Sequence, residues 1–316
     1  MYANLSASFS IVCADQFQES AIPDAEPAYR PMPIIVGAPR SGTTLLRLML
    51  DAHTDLAVPP ETGFLAADQA FLQRLSRQEF ADFIEQFPSG VPGWQDFCIP
   101  SPVWREALEV IEPFSPVNAY RTFYRLYAAR FSKMRWGDKT PSYVFCMRQV
   151  EEMLPESRFI HLIRDGRDVA LSWRKTWFAP GQDMKTLASH WKQSVSAGLD
   201  GRKDGCHYLE IRYEELIQDT ASVLQRICDY ISLDFQPAML NYFANSPARL
   251  AEHAERRRGD GTLLVSREQR LEQQRLTTRP PVLERVQAWR TTLTLSEREA
   301  FASVAGDLLD ALGYEL

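Results

Sequence analysis

Gly37 and Gly42 are separated by four residues in PIIVGAPRSGTTLLRLML, the stretch from Pro33 to Leu50, and Thr43 and Thr44 follow directly. Glycine, four residues and a second glycine ahead of a helix form a loop whose backbone N–H groups converge on an anion. Here those groups run from Arg40 through Ser41, Gly42 and Thr43 to Thr44, at the positive end of the helix dipole. Loops that hold ATP or GTP place lysine after the second glycine, where it neutralises the β- and γ-phosphates. Thr43 occupies that position, so the pattern predicts an anion site without a γ-phosphate. A tight strand-to-helix turn that holds nothing is the plain alternative for the loop taken alone.

A strand and a helix must carry such a loop. MPIIVG is a short apolar run ending in glycine, which predicts a buried strand, and TTLLRLMLDAH follows with helical spacing. The order recurs: RFIHLIR predicts a strand and DGRDVALSWRKT a helix, then CHYLEIRY a strand and EELIQDTASVLQRICDYI one helix. This alternation predicts an α/β fold, a P-loop-containing three-layer sandwich with a central parallel sheet between helices. Residues 64–135 read as a long helical insertion, in which SPVNAYRTFYRLYAARF spaces its aromatics for a face turned to the core. The C-terminal TLSEREAFASVAGDLLDALGY is amphipathic, with Ser296 as N-cap and Gly313 as stop. Residues 1–30 are polar and aperiodic and read as a flexible arm, leaving 31–316 as one domain.

The net charge of -6, from 35 lysines and arginines against 41 aspartates and glutamates, argues against nucleic acid as a partner. Any bound anion must meet a local positive site. Five scattered cysteines without C-x-x-C spacing point to neither a disulfide framework nor zinc. No basic flank precedes the apolar run FSIVCA, which is too short to span a bilayer, so a cytoplasmic protein without membrane association is expected.

The loop and several later segments together resemble the PAPS-dependent sulfotransferases, whose donor is 3′-phosphoadenosine 5′-phosphosulfate (PAPS), in particular their bacterial and tyrosylprotein branch. PRSGTT is similar to that family's 5′-phosphosulfate loop, which implies that Arg40, Ser41, Gly42, Thr43 and Thr44 hold the donor without a metal. LIRDGRDVALS resembles the 3′-phosphate motif, with Arg164 at a strand end and Ser172 eight residues on, in the second turn of the next helix. Those two positions can converge on one phosphate, each charge-assisted bond contributing about 1.5–3 kcal/mol. The ordinary alternative is Arg164 paired with Asp165 or Asp168. IRYEEL is similar to the family's strand-terminal tyrosine, so Tyr213 is either a nucleotide contact or a buried tyrosine. TTRPPVLERVQAW resembles a C-terminal element that closes over the nucleotide, which makes Arg279 a phosphate contact and Trp289 a packing residue. The triplet Arg256 to Arg258 reads as a solvated charge run.

Sulfuryl transfer requires holding the donor, deprotonating the acceptor and stabilising charge on the departing phosphate oxygen. None of the five histidines has a convincing base context: His161 and His207 lie in strands, and His53 ends a helix, where the dipole favours its cation. The resemblance instead assigns the base to Glu61 in AVPPETGF, with an N-terminal helix carboxylate as the ordinary alternative. It assigns charge stabilisation to Lys139 in WGDKTP and to Arg40. The branch's assisting serine has no clear counterpart; Thr277 and Thr278 are the nearest candidates. The resulting expectation is sulfation of a hydroxyl on a small molecule, carbohydrate or peptide, with homodimerisation left open. A P-loop small-molecule kinase and a non-catalytic nucleotide-binding module are the competing readings.

Overall fold

The computed structural model describes residues 30–316, so the predicted arm lies outside the described residues except for Arg30. The first six of the eight strands among the described residues are β1 (Met32–Val36), β2 (Leu56–Ala57), β3 (Arg135–Trp136), β4 (Asp138–Lys139), β5 (Ser157–Ile163) and β6 (Tyr208–Arg212). Four of them form one sheet in the order β4-β1-β5-β6, and every pairing in it is parallel. β2 and β3 pair parallel as a separate ribbon.

β1 is apolar throughout because it is central and covered on both faces. Alternation along the strand sends Ile34 and Val36 toward the insertion and Ile35 toward the loop helix. Each such side chain contributes about 1.5–3 kcal/mol by leaving water.

Among the helices are α1 (Thr43–Asp51), α2 (Pro116–Ala129), α3 (Gly166–Trp173), α4 (Met184–Lys203), α5 (Tyr213–Gln218), α6 (Thr220–Tyr230), α7 (Arg267–Gln274) and α8 (Leu295–Ala311). α1 and α6 cover one face of the sheet, with Leu46, Met49, Leu224 and Ile227 against Ile35 and Ile160. The insertion covers the other face through α2, whose Tyr120, Phe123, Tyr124 and Tyr127 are fully buried, as their spacing predicts. Ser115 caps α2 by accepting from Asn118 N at 3.2 Å, and Pro116 opens it without losing a bond. A third cluster joins α3, α4 and α8 around Trp191, Trp289 and Phe301, so Trp289 packs as expected.

Two local expectations are corrected. The segment after β6 is not one helix, because Asp219 leaves helical geometry and accepts from Ser222 N, ending α5 and starting α6. The cap of α8 is Thr294, not Ser296: Thr294 and Glu297 form a reciprocal capping box that starts the helix at Leu295. Gly313 stops that helix as predicted, at φ 74°.

Candidate active site

A cleft of about 930 Å³ opens at the carboxyl ends of β1, β4, β5 and β6. Ligands in open parallel α/β sheets characteristically bind at such a crevice. The glycine loop forms its floor. Gly37 at φ 144° and Gly42 at φ 99° adopt backbone geometry that side chains resist. A Cβ on Gly37 would stand 2.5 Å from Leu162 O, and one on Gly42 would stand 2.6 Å from the Tyr213 ring. Gly42 caps α1 without a side-chain bond, leaving the first-turn N–H groups uncapped.

Arg40, itself at φ 73°, donates from Nε to Ser172 Oγ at 3.1 Å and from Nη2 to Gln273 O at 3.3 Å. Burial, reinforced by nearby Arg164, lowers its pKa. Arg164 leaves the end of β5 and donates to Arg40 O at 3.3 Å and Arg285 O at 2.7 Å. Its guanidinium lies 4.2 Å from the centre of the Tyr213 ring. Arg164, Ser172, Tyr213 and the loop thus meet in one place, although they come from three strand-to-helix junctions.

The ordinary ion-pair reading of Arg164 is also partly present, since its Nη2 stands 3.8 Å from Asp168 Oδ2. Asp165 pairs with Arg167 instead. Asp168 accepts from Gln287 N and Trp289 N, both at 2.9 Å, which ties the C-terminal segment down over the cleft. Burial pushes the Asp168 carboxyl up to about 6 against the opposing pull of Arg164 and those two N–H groups.

Across the cleft, Lys139 Nζ donates to Glu61 Oε1 at 2.5 Å and to Thr44 Oγ1 at 3.5 Å. Lys139 is buried and Glu61 is more than half exposed, so the lysine forms the wall and the carboxylate projects from it. Burial lowers the Lys139 pKa, and Glu61 opposes that shift. Parallel pairing sets Lys139 opposite Ile35, two residues before the loop.

Arg279 is exposed and lies outside the cleft wall; among the described residues only its carbonyl is engaged, by Tyr242 OH at 2.7 Å. Arg285, six residues on in the same segment, lines the cleft instead. Thr277 is buried at the wall, whereas Thr278 is exposed and donates to Arg275 O. Arg256 is not a solvated charge: it lines the cleft and shares buried Asp96 with Arg270, at 2.7 and 2.6 Å. Arg257 and Arg258 are exposed.

The helix-end expectation for His53 fails, because burial lowers its pKa while its Nδ1 accepts from Asp55 N. His161 is a core residue bonded to Tyr208 OH at 2.7 Å, with burial pulling its pKa down to about 3. His253 lines the cleft, a position its surroundings EHAERRRG did not signal. Thr62 and Asp138, neighbours of the two candidate catalytic residues, were also missed; both are buried, Thr62 at the cleft wall and Asp138 behind it.

Among the described residues, two buried polar atoms near the loop lack a protein partner: Arg164 Nε, on a residue that lines the cleft, and Ser41 Oγ, beneath the lining. Together with the loop amides and the basic side chains Arg40, Lys139, Arg164 and Arg285, they fit a phosphorylated anion. Among the described residues, no helix is long and apolar enough to cross a membrane.

A sequence model described as "Sulfotransferase family" matches residues 31–237. The nodulation protein NoeE of Sinorhizobium fredii is 26% identical over 318 residues, covering 90% of this chain and 67% of that protein. A putative protein-tyrosine sulfotransferase of Caenorhabditis briggsae is 27% identical over 216 residues, covering 65% and 67%. The solved sulfotransferase domain from the curacin biosynthetic pathway superposes with a TM-score of 0.64 at 20% identity, covering 91% of this chain and 99% of that domain. That likeness establishes a shared α/β fold.

Proposed function

Because the chain belongs to the sulfotransferase family, we propose that it transfers the sulfuryl group of PAPS to an acceptor hydroxyl, with Glu61 as general base. The observation that carries this reading is the Lys139 ammonium set between Glu61 and the loop's Thr44. Pure nucleotide binding requires neither a lysine at that place nor a carboxylate projecting beside it.

In the proposed reaction the 5′-phosphosulfate lies on the amides of Ser41 to Thr44, and Arg164, Ser172 and Arg285 hold the 3′-phosphate. The acceptor oxygen attacks sulfur while its proton passes to the Glu61 carboxylate. The bond from sulfur to the bridging oxygen breaks, and that oxygen leaves on the 5′-phosphate of 3′-phosphoadenosine 5′-phosphate (PAP). Lys139 and Arg40 stabilise the negative charge that develops there. The lysine charge missing from the loop is thereby supplied from a second strand.

Phe87, Pro88 and Val91 of the insertion and the exposed Trp177 and Phe178 also line the cleft and are the proposed contacts of the acceptor. That wall suits a carbohydrate, phenol, tyrosyl or natural-product alcohol. Calorimetric titration with PAP and with ATP plus magnesium tests the donor class. Selective PAP binding that Arg164→Ala abolishes is expected; preference for ATP, or indifference to the 3′-phosphate, would overturn the proposal.

A further inference from the structure

Glu61 and Thr62 are adjacent and point in opposite directions, one into the cleft and the other into the protein. Thr62 Oγ1 lies 2.7 Å from Asp138 Oδ2 and 2.7 Å from Tyr143 OH. Its backbone N–H donates to Thr140 Oγ1 at 3.1 Å. Tyr124 OH donates to the same Asp138 oxygen at 2.7 Å, and Leu65 N donates to Tyr143 OH at 3.0 Å.

The protons can be assigned along this chain, because a threonine hydroxyl has one proton and two lone pairs. Leu65 N–H donates to Tyr143, Tyr143 to Thr62, and Thr62 to Asp138, which also accepts from Tyr124. The segment bearing Glu61 is therefore fastened, by both the backbone and the side chain of one residue, to the Asp138–Thr140 segment bearing Lys139. Every member of this chain is buried and none lines the reaction side except through Thr62 and Thr140.

We propose that Thr62 is a positioning residue that holds Glu61 in contact with Lys139, through its bonds to Asp138, Tyr143 and Thr140. It acts through Glu61 and touches no reacting atom. This inference rests on the Glu61–Lys139 reading above, and the variants below separate the two. Thr62→Val preserves shape but removes the hydroxyl, so the Tyr143 proton loses its acceptor and Asp138 loses one donor. The 61–62 segment then has one backbone bond left to β4's extension, and Glu61 is free to leave Lys139. Loss of the opposing carboxylate lowers the Lys139 pKa further, exposing more of the reactive amine.

The first test needs no acceptor: competitive acetylation of the folded protein with acetic anhydride, with Lys139 modification read by mass spectrometry against the exposed Lys203. Thr62→Val is expected to raise Lys139 labelling several-fold, Thr62→Ser to restore the wild-type rate, and Tyr143→Phe to give a smaller rise. Glu61→Gln is the control for the pair itself. Unchanged labelling in Glu61→Gln refutes the Glu61–Lys139 contact. A rise there with no rise in Thr62→Val or Tyr143→Phe refutes the positioning role alone. Should Thr62→Val not fold, Tyr143→Phe is read in its place. In turnover with PAPS, kcat is expected to fall by about ten- to a hundredfold in Thr62→Val with PAP affinity retained, as misplacement of a reacting group does. A loss of PAP affinity equal to the loss of rate would instead identify a structural residue and overturn the proposal.

Discussion

Replacing Gly42 by alanine tests whether the loop is held in one shape by its own backbone. At φ 99° an alanine is strained, costing about 1–3 kcal/mol. Its Cβ would also stand 2.6 and 2.7 Å from Cδ2 and Cε2 of Tyr213. That ring cannot retreat freely, because the Arg164 guanidinium lies 4.2 Å from its centre. Overpacking of this kind adds about 1–3 kcal/mol. The sum, about 2–6 kcal/mol, must appear in one of two places. If the loop keeps its shape the protein loses stability; if it shifts, PAP affinity falls, by about thirtyfold for the first 2 kcal/mol. Thermal unfolding and calorimetric PAP titration of the same preparations read both. Gly42→Ala combined with Tyr213→Ala removes the clash but leaves the backbone strain, so the double variant should regain stability relative to the sum of the singles. Unchanged melting temperature together with unchanged PAP affinity in Gly42→Ala would refute the reasoning.

Further expectations concern the same cleft. Arg285→Ala should weaken PAP binding by about tenfold or more, the value of a charge-assisted bond, while Arg279→Ala leaves it unchanged; calorimetry on the two variants decides between the residues. Glu61→Gln and Lys139→Met should each lower kcat by about a hundredfold or more with PAP affinity largely retained, since general-base and electrostatic contributions are of that size; single-turnover rates with PAPS check this. Asp168 titrates near 6 in the folded protein and near 3.8 in the unfolded chain, so the native state holds its proton more tightly. Its stabilising contribution is full below the lower value and is lost as pH rises through the higher one. The melting-temperature difference between Asp168→Asn and wild type should therefore change mainly between pH 4 and 6, as scanning calorimetry across that window would show.

The sheet, the loop and the convergence of Arg164, Ser172 and Tyr213 were legible because each depends on local order. An apolar run, a turn and a helix occupy neighbouring residues, and their carboxyl ends gather at one edge once the strands are parallel. Arg285 and Arg279 share one segment that resembles a nucleotide-closing element, and nothing in its spacing decides which arginine turns inward. That choice is made by Asp168, whose carboxylate holds the N–H groups of Gln287 and Trp289. Arg256 reads as one of three solvated charges until the fold brings in Asp96, far away in the chain, as a shared carboxylate. Thr62 likewise carries no signal of its own in PPETGF; its partners Asp138 and Tyr143 come from segments brought beside it by the sheet.

The placement of the missing lysine follows from the register of one short strand. β4 pairs with β1 so that Asp138 is opposite Ile34 and Lys139 opposite Ile35. Alternation then sends Asp138 toward the insertion, where Thr62 and Tyr124 bind it, and Lys139 toward α1, where it reaches Thr44. A slip of one residue would exchange the two faces and bring a carboxylate to the anion loop. Asp138 resists that slip because burial penalises its charge and the Thr62 and Tyr124 hydroxyls already donate to it where it stands. The buried aspartate thus fixes where the cation stands, and a loop held by backbone geometry can leave its positive charge to the neighbouring strand.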